Sequence, residues 1–319
     1  MYLIGEDAVG VAEFAVRSGR RGRVACWPAH IPAGLVVARP SAQWDWLPTF
    51  ADVAGLPPPA RTDGVSLLPT LIGQAQASER GPLYFEYNVG GHTPGYPAFE
   101  PGRRDRLRNQ MQAVRLGDLV GVRYNVKSAD DKFEIYDVVA DPKETKNLAL
   151  DPASAALQRK LQETALQSRR PDSTAPRPYD AALVPALATT VTVTGVDWRA
   201  YAGPFPWVPD FAALTPVATG TMSRPDPASV PPSAAAGLLF TGRLIIPADG
   251  EYAFYLTTDT GAIFRLHAAT LIDADFGYAH DTEKAASIRL RAGPHPFRLS
   301  LLQAGVHAPA LLLEWSGPG

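Results

Sequence analysis

Few residue patterns in this chain are of the kinds that carry catalysis. It lacks the Gly-x-Ser-x-Gly turn of serine hydrolases, the His-Glu-x-x-His pair of zinc proteases and the glycine loop that holds phosphates. His92 lies in Gly-Gly-His-Thr-Pro-Gly, which predicts a loop, and the spacing of His267, His280, His295 and His307 is not typical of metal ligands. We therefore predict no catalytic residue in this chain.

A short basic run is the main charged feature. Residues 103–108 read Arg-Arg-Asp-Arg-Leu-Arg, and Asp105 interrupts the run. Such a run is typical of a solvated loop, and the functional alternative is contact with an anionic glycan. The formal net charge of −2 leaves no basic field for phosphate backbones, so we predict no nucleic-acid partner.

The single cysteine and the amino-terminal segment bear on the compartment. One thiol, Cys26, excludes an internal disulfide framework and a cysteine-based zinc site but does not identify the redox environment. The first 22 residues carry acids inside their apolar stretch and arginines after it, the reverse of a secretory signal. No apolar segment approaches the roughly 20 residues of a membrane helix. We expect no export signal and no membrane partner, and the localisation stays open.

The 319 residues, 46% of them hydrophobic, suffice for two modest cores. Apolar residues at helical spacing predict an amphipathic helix between Ser41 and Gly55, with Asp45 as its cap. Residues 111–126 predict two strands around a Gly-Asp turn, and residues 133–136 predict a third. A helix over residues 153–169 would cover one face of this sheet. The fold class predicted for this region is α+β.

The second half of the chain has a different pattern. Residues 170–195 are rich in proline and alanine without periodicity, which predicts a linker. Short alternating segments follow, such as Tyr252, Phe254 and Leu256, and turns separate them, so we predict an all-β sandwich. Four aromatic residues near its start would form either a sugar-stacking platform or part of the core. They are Trp198, Tyr201, Phe205 and Trp207.

Five segments between Arg23 and Arg169 follow the order in which sulfatases carry them in their carboxy-terminal part. They are WPAHIPAG, DWLPTFADVAGL, DGVSLLP, AVRLGD and FEIYDVVADPKETKNLA. Residues 23–169 thus resemble the carboxy-terminal region of a sulfatase of the alkaline-phosphatase-like superfamily, and residues 1–22 are unmatched. The resemblance implies a parent enzyme that hydrolyses sulfate esters of carbohydrates or aryl groups, uses calcium, and acts in the periplasm or outside the cell.

The catalytic part of such an enzyme is missing from this sequence. Sulfatases use a formylglycine made from the cysteine of a Cys-x-Pro-x-Arg motif, with calcium-binding acids and sulfate-binding lysines. In Cys-Trp-Pro-Ala-His, His30 replaces the arginine, and residues 27–34 already match a downstream family segment. We interpret Cys26 as a buried strand residue. The chain is expected to be a truncated or frame-shifted product without sulfatase activity of its own.

Residues 196–319 contain a second set of ordered segments, FTGRLIIPADGEYAFYLTTDTGAIFRL, IRLRAGPHPFRL and LLLEWSGPG. They resemble the anthrax-protective-antigen-like (PA14) domain, a β-sandwich that often binds carbohydrate. Calcium-dependent members hold the ion with two adjacent aspartates, whereas the turn here contains Asp259 alone. The resemblance makes Asp259, Asp273 and Asp275 candidate carbohydrate-binding residues and Asp259 a candidate metal ligand, with Asp281 as a further acid. Solvated turn aspartates are the alternative.

These patterns support one leading hypothesis and several alternatives. The leading one is a sulfatase fragment with a carbohydrate-binding domain, for which calcium is a cofactor of the parent enzyme only. The alternatives are a non-catalytic glycan-binding module, half of a split sulfatase completed by a separate catalytic polypeptide, and a purely structural sandwich. Because the catalytic domain is missing, we expect residues 1–170 to expose an apolar face and to be marginally stable, while the sandwich folds independently.

Overall fold

The computed structural model describes residues 2–4, 24–75, 80–188, 195–230, 235–275, 282–303 and 309–318. The chain forms two compact units. The first unit comprises residues 1–31 and 81–182, and the second unit comprises residues 32–80 and 183–319. Residues 32–80, which resemble a sulfatase in sequence, thus belong to the same unit as the sandwich. Most of the unmatched segment 1–22 lies outside the described residues.

The helices and strands are numbered along the chain. The α-helices are α1 (Trp46–Val53), α2 (Leu68–Leu71) and α3 (Ala155–Ser168). The strands of the first unit are β1 (Tyr2–Ile4), β2 (Val24–Cys26), β3 (Leu83–His92), β4 (Leu107–Leu116), β5 (Leu119–Arg123) and β6 (Glu134–Asp137). Those of the second unit are β7 (Val196–Ala202), β8 (Ala218–Met222), β9 (Ala235–Ile246), β10 (Gly250–Thr258), β11 (Ala262–Leu266), β12 (Ala269–Ala274), β13 (Lys284–Leu290), β14 (Gly293–Leu302) and β15 (Leu311–Ser316). No helix among the described residues has the length and hydropathy needed to cross a membrane.

The first unit is built on a four-stranded antiparallel sheet in the order β3-β4-β5-β6. Helix α3 packs on one face of it, because Leu161 and Ala165 form one buried cluster with Val114 and Ile135. A Cβ at Gly121 would lie 2.7 Å from a methyl carbon of Leu161, so the close approach of helix and sheet requires glycine there. The predicted α+β region with a small sheet and a covering helix is confirmed.

The opposite face of this sheet has its own apolar cluster. Successive side chains of a strand point to opposite faces, and Ala113, Val120 and Val122 alternate with the residues that face α3. Phe85 and Tyr124 pack against that second cluster. Both faces thus contribute to the core, and Val122 and Tyr124 of this second face also line a cavity.

The segment predicted as a linker makes defined contacts within each unit. In the first unit the Tyr179 hydroxyl, which is buried, donates a hydrogen bond to Glu86 Oε2 at 2.6 Å and accepts one from Gln110 Nε2 at 2.8 Å. In the second unit Val184 pairs with the end of β13, and its amide donates to the carbonyl of Arg289 at 2.8 Å. These contacts fix both ends of residues 179–184.

The second unit contains two antiparallel sheets. One has three strands in the order β13-β10-β15, and the other has six in the order β12-β11-β14-β9-β7-β8. Tyr252, Phe254 and Leu256 alternate along β10 and are buried, and Phe264 packs on Phe254 at 5.4 Å between ring centres. The predicted all-β sandwich after an α+β region is confirmed.

The predicted helix after Ser41 is also present in the second unit as a 3₁₀ turn, Gln43–Asp45, followed by α1. Asp45 does not cap the amides of α1. Its carboxylate instead accepts hydrogen bonds from the amides of Ala42 at 2.6 Å and Val65 at 3.1 Å, and it pairs with Arg80. Gly55 ends the helix in the left-handed region, with φ of 73°.

Candidate functional site

A cavity of about 440 Å³ opens on the sheet face that α3 leaves free in the first unit. Val122, Tyr124 and Tyr136 form its floor and come from β5, from the residue after it, and from β6. The loop between β3 and β4 and the turn around Lys143 supply the walls. The cavity volume falls in the range of sites for small molecules, which are usually about 300–1,000 Å³.

The loop between β3 and β4 is held by hydrogen bonds at its base. The Thr93 hydroxyl donates to the carbonyl of Arg103 at 2.6 Å and accepts from the amide of Arg106 at 2.9 Å. Arg104 donates to the carbonyls of Phe99 at 2.7 Å and Pro97 at 2.6 Å. Arg104 therefore stabilises the loop itself, and the remaining arginines of the basic run reach the cavity.

Arg106 is committed to the cavity wall. Its guanidinium donates two hydrogen bonds to the carboxylate of Glu134, at 2.6 Å and 3.2 Å, and lies 4.3 Å from the ring centre of Tyr124. Desolvation lowers the pKa of Arg106, but hydrogen bonding and attraction to Glu134 raise it by more, so the net pKa rises. Because its fork is filled by one carboxylate, Arg106 is a fixed part of the wall.

Arg103 uses part of its guanidinium for contacts within the protein. It donates to the carbonyl of Glu144 and lies 5.1 Å from the ring centre of Tyr136, whose hydroxyl donates to Glu134 Oε2 at 2.9 Å. Burial and the nearby Glu134 carboxylate raise the pKa of Tyr136 to about 12. The phenol therefore stays neutral at physiological pH and serves as a hydrogen-bonding wall rather than as a base.

Arg108 and Lys143 differ from these two arginines. In the described part of the chain neither has an Asp or Glu within 4.0 Å. The Nε of Arg108 is buried and has no hydrogen-bond partner. A buried N–H without an acceptor costs roughly 1–3 kcal/mol, so this donor favours a ligand that brings an acceptor.

Aromatic rings complete the cavity. Tyr96 is 60% exposed and packs edge-on against Phe99, with 5.5 Å between ring centres. Exposed rings of this kind offer an apolar face to the C–H groups of a sugar ring. The lining of the cavity thus combines hydrogen-bond donors, carboxylates and aromatic rings.

Each of the three predicted aspartates of the sandwich bonds to protein donors. Asp259 accepts from the amide of Ala310 at 2.9 Å, whereas Asp273 pairs with Arg61 at 3.0 Å and accepts from the amide of Asp275 at 3.1 Å. No group of three or more His, Cys, Asp or Glu suited to a metal occurs in the described residues, and Asp281 lies outside them. Each of the three carboxylates accepts at least one hydrogen bond from a protein donor, and the role of Asp259 as a metal ligand stays a prediction.

Asp275 shows how firmly these acids are held. Its carboxylate oxygens both accept from the amide of Val208, at 3.1 Å and 3.2 Å, and burial raises its pKa. A Cβ at Gly261 would lie 2.6 Å from Asp275 Oδ1, so Asp275 packs directly against the turn that contains Asp259. The carbohydrate-binding role of Asp259, Asp273 and Asp275 stays a prediction.

The remaining predicted candidates occupy other positions. Trp198 and Tyr201 are buried, and Tyr201 stacks on Phe211 at 4.5 Å, so they belong to the core rather than to an exposed platform. His92 lies at the end of β3 and not in a loop. Cys26 ends β2 as expected, but it is exposed, so the interpretation of a buried residue was wrong.

Sequence reasoning missed a histidine pair in the second unit, in which His295 is buried and His267 is half-buried. His267 Nε2 and His295 Nδ1 are 2.8 Å apart, and His295 Nε2 donates to the carbonyl of Arg291 at 2.8 Å. That carbonyl can only accept, so His295 Nδ1 accepts from His267 when both rings are neutral. Burial, followed by repulsion from His295, lowers the pKa of His267 to about 3, and burial also lowers that of His295.

Comparison with known families finds a similar family for each of the two regions. Residues 17–171 match the family N-sulphoglucosamine sulphohydrolase, C-terminal, and residues 193–319 match the PA14 domain family. A Delta 4,5-hexuronate-2-O-sulfatase of Bacteroides thetaiotaomicron is 34% identical over 110 residues, which are 34% of this chain and 19% of that protein. An N-acetylglucosamine-6-O-sulfatase of the same bacterium is 30% identical over 139 residues, 43% of this chain and 22% of that protein. The chain thus spans about a fifth of the length of these relatives.

Similarity to solved structures is weak. One match is a crystal structure of β-glucosidase from Kluyveromyces marxianus in complex with glucose. The aligned region covers 38% of this chain and 15% of the β-glucosidase chain. The sequence identity is 17% and the TM-score is 0.29, which is too low to define a shared fold.

Proposed function

We propose that this chain, a sulfatase carboxy-terminal region joined to a PA14 domain, binds an anionic saccharide in the cavity of the first unit. In this proposal the hydrolysis of a sulfate ester belongs to a catalytic region that these residues do not include. The observation that carries the proposal is the buried, unpartnered Nε of Arg108 beside aromatic walls. A sulfate or carboxylate oxygen is the acceptor that this donor lacks.

The neighbours of Arg108 support an anion over a neutral group. Lys143 lines the same cavity without a described acid partner, and Arg106 already neutralises Glu134. The lining as a whole carries more cations than acids: Arg103, Arg106, Arg108 and Lys143 against Glu100, Glu134 and Glu144. Two cations near one oxyanion bind it more tightly than either alone, most strongly where water is partly excluded.

The names of the relatives suggest the class of saccharide. One is called a hexuronate-2-O-sulfatase and the other an N-acetylglucosamine-6-O-sulfatase, so both names place a sulfate on a sugar ring. The proposed ligand is accordingly a sulfated sugar, whose ring would lie against Tyr96 and whose sulfate would meet Arg108. Calcium and a periplasmic or extracellular site of action are proposed for the complete enzyme only.

Calorimetric titration of the full chain tests this proposal. We expect a sulfated disaccharide to bind and its desulfated form to bind at least tenfold more weakly. Arg108→Ala should reduce binding of the sulfated sugar at least tenfold, because a charge-assisted hydrogen bond is lost. Arg159→Ala is the matched control, since Arg159 is exposed on α3. Equal binding of the two sugars, or equal losses in the two variants, would contradict the proposal.

A second function, half of a split sulfatase, is favoured by the surface of α1. Leu47 is 56% exposed and Phe50 is 43% exposed, while the only charged residue of the helix, Asp52, accepts a hydrogen bond from Ser66 Oγ at 2.6 Å. A helix without a free charged side chain on its outer face is unusual at a protein surface. Large exposed apolar residues are frequent in this part of the second unit. They are Leu35, Val36, Val37, Leu47, Phe50 and Leu56.

In that case the occupant of this surface would be a polypeptide with the sulfatase catalytic region. Co-purification with such a polypeptide tests the idea. Phe50→Glu should abolish the association, because it places a charge in the apolar contact. Val217→Glu replaces an apolar residue with similar exposure, 56%, and serves as the control. Association that survives Phe50→Glu would rule out this surface as the contact.

A further inference from the structure

Residues 57–63, called the strap, lie in the second unit and have a composition that limits how they can bond. They read Pro-Pro-Pro-Ala-Arg-Thr-Asp. A proline has no N–H, and a residue before proline is held in an extended conformation. The first half of the strap can therefore offer only carbonyl acceptors, and a surface that recognises it has to provide donors.

The segment 207–210 of the sandwich provides those donors. The indole N–H of Trp207 donates to the carbonyl of Pro57 at 2.9 Å, and the amide of Asp210 donates to the carbonyl of Pro58 at 2.6 Å. Pro59 pairs with Pro209 as an antiparallel bridge. Both partners thus run antiparallel, and two successive proline carbonyls are satisfied.

The bonding reverses at the first strap residue that has an N–H. The amide of Ala60 donates to the carbonyl of Val208 at 2.9 Å. The Ala60 side chain packs on the buried cluster that contains Val208, Tyr201 and Phe211. The sandwich therefore donates hydrogen bonds to the proline carbonyls of the strap and accepts one from the amide of Ala60.

Arg265 forms hydrogen bonds with the second half of the strap. Its guanidinium donates to the carbonyls of Ala60 at 3.0 Å and Thr62 at 3.2 Å, and to Asp63 Oδ1 at 2.8 Å. Arg265 comes from β11 and is only 8% exposed. This guanidinium donates three hydrogen bonds to the strap. Because it is planar and nearly buried, its orientation is fixed before the strap binds.

Arg61 supplies the complementary charge. It pairs with Asp273 of β12 at 3.0 Å, so an acid of the sandwich meets the basic residue of the strap. The acid of the strap, Asp63, meets the base of the sandwich, Arg265. The two charge pairs have opposite polarity, and they set the direction in which the strap lies.

We propose that Trp207–Asp210, Arg265 and Asp273 form a recognition groove for an extended proline-rich peptide with the pattern Pro-Pro-x-x-Arg-x-Asp, and that the strap is its resident ligand. The match of donors, acceptors and charges along the strap is that of a peptide and its receptor. This proposal concerns the second unit and does not depend on saccharide binding by the first. It also gives a role to Asp273, which the resemblance to the PA14 domain makes a candidate carbohydrate-binding residue.

A variant of the full chain with a weakened strap tests the proposal. Pro57→Gly, Pro58→Gly and Arg61→Ala keep the length of the strap but remove its pre-formed extension and its charge pair. The probe is a fluorescent nine-residue peptide with the sequence of residues 56–64. We expect the peptide to bind this variant at least tenfold more tightly than the wild-type chain, in which the groove is filled. A peptide with glutamate in place of the arginine should bind at least tenfold more weakly.

Two further measurements guard against a variant that does not fold. In the wild-type chain the amides of Ala60 and Asp210 should exchange with solvent together and faster than those of β10, because a resident ligand opens without unfolding of the sandwich. Their exchange only with global unfolding would overturn the proposal. Trp207→Phe in the weakened chain should reduce peptide binding, since the indole N–H is lost. Undiminished binding, or no peptide binding to a weakened chain that is folded, would overturn it as well.

Discussion

The cavity of the first unit and the loop end of the sandwich are both lined by charged residues, but they use those charges differently. At the sandwich, Asp273, Asp275 and Arg265 all have protein partners at hydrogen-bond distance. In the cavity, Arg106 has such a partner, whereas Arg108 has a buried Nε without one. A charged residue whose bonds are filled contributes to the fold, and one with an unfilled donor is available to a ligand. The comparison separates aspartates that bond to protein donors from an arginine that keeps a buried donor without an acceptor.

The largest effect expected from this comparison is on the stability of the second unit. Arg265→Ala would leave the carbonyls of Ala60 and Thr62 without their donor, so we expect a loss of about 2–4 kcal/mol. This loss in the free energy of unfolding is measured by urea titration, with the hydrogen exchange of the β10 amides as the probe. Arg289→Ala is the control, because its pair with Glu251 is 3.8 Å long and exposed, and should cost about 0–1 kcal/mol. Similar losses in both variants would show that Arg265 is not a fixed structural element.

A second prediction concerns pH. Burial lowers the pKa of His267 to about 3 in the folded chain, below its ordinary value of 6.5, so the unfolded chain binds the extra proton first. Stability is then fully present above about pH 6.5 and falls as the pH falls toward 3. We expect a loss on the order of 2 kcal/mol between pH 7 and pH 5 in the second unit.

Urea unfolding at the two pH values measures this loss. His267→Asn in a chain that also carries His295→Asn should remove most of the pH dependence, because neither position can then titrate. His30→Asn is the control, since His30 is exposed in the first unit. A pH dependence that persists after the pair is replaced would assign it to other groups.

A third prediction separates two arginines within the cavity. Arg106→Ala breaks the two hydrogen bonds to Glu134 and the stacking on Tyr124, so the first unit should lose about 1–2 kcal/mol. Arg108→Ala removes a buried Nε without an acceptor, so it should not lower the stability of the first unit by more than about 0.5 kcal/mol. Thermal unfolding of both variants makes the comparison. A larger loss for Arg108→Ala would mean that its role is structural.

The smallest effect is expected from metal removal. Because the carboxylates of Asp259, Asp273 and Asp275 already accept protein hydrogen bonds, a chelator should leave the thermal unfolding of the second unit unchanged within about 1 °C. Added calcium should leave it unchanged too. Stabilisation by calcium that disappears on Asp259→Asn would restore the metal site that the resemblance implied.

The regular elements were largely predictable from local pattern. Helix α3, the strands β4 to β6 and the alternating strands of the sandwich lie where periodicity and turn residues placed them. The resemblance to a sulfatase carboxy-terminal region and a PA14 domain is confirmed by the family matches. Periodicity works here because a repeat of 2 or 3.6 residues reports which side of an element faces the core.

The cavity was only partly predictable. The basic run 103–108 was recognised, with contact to an anionic glycan as an open alternative. What the run does not reveal is that Arg104 bonds to its own loop, Arg106 to Glu134, and Arg108 to no described acid. A signal was available in Tyr96 and Phe99 just before the run, since rings beside arginines are common at binding sites.

The sequence by itself determined the order of the two regions, their fold classes and the lack of a formylglycine motif, because these depend on local spacing and residue type. Only the tertiary structure decided which charged side chains have hydrogen-bond partners within the protein. Residues 57–63 contact Arg265 and Asp273, about 200 positions later, and Arg106 meets Glu134 across the sheet. Such pairs form because chain folding brings distant segments within about 3 Å, and hydrogen bonds at that distance leave no trace in a one-dimensional pattern.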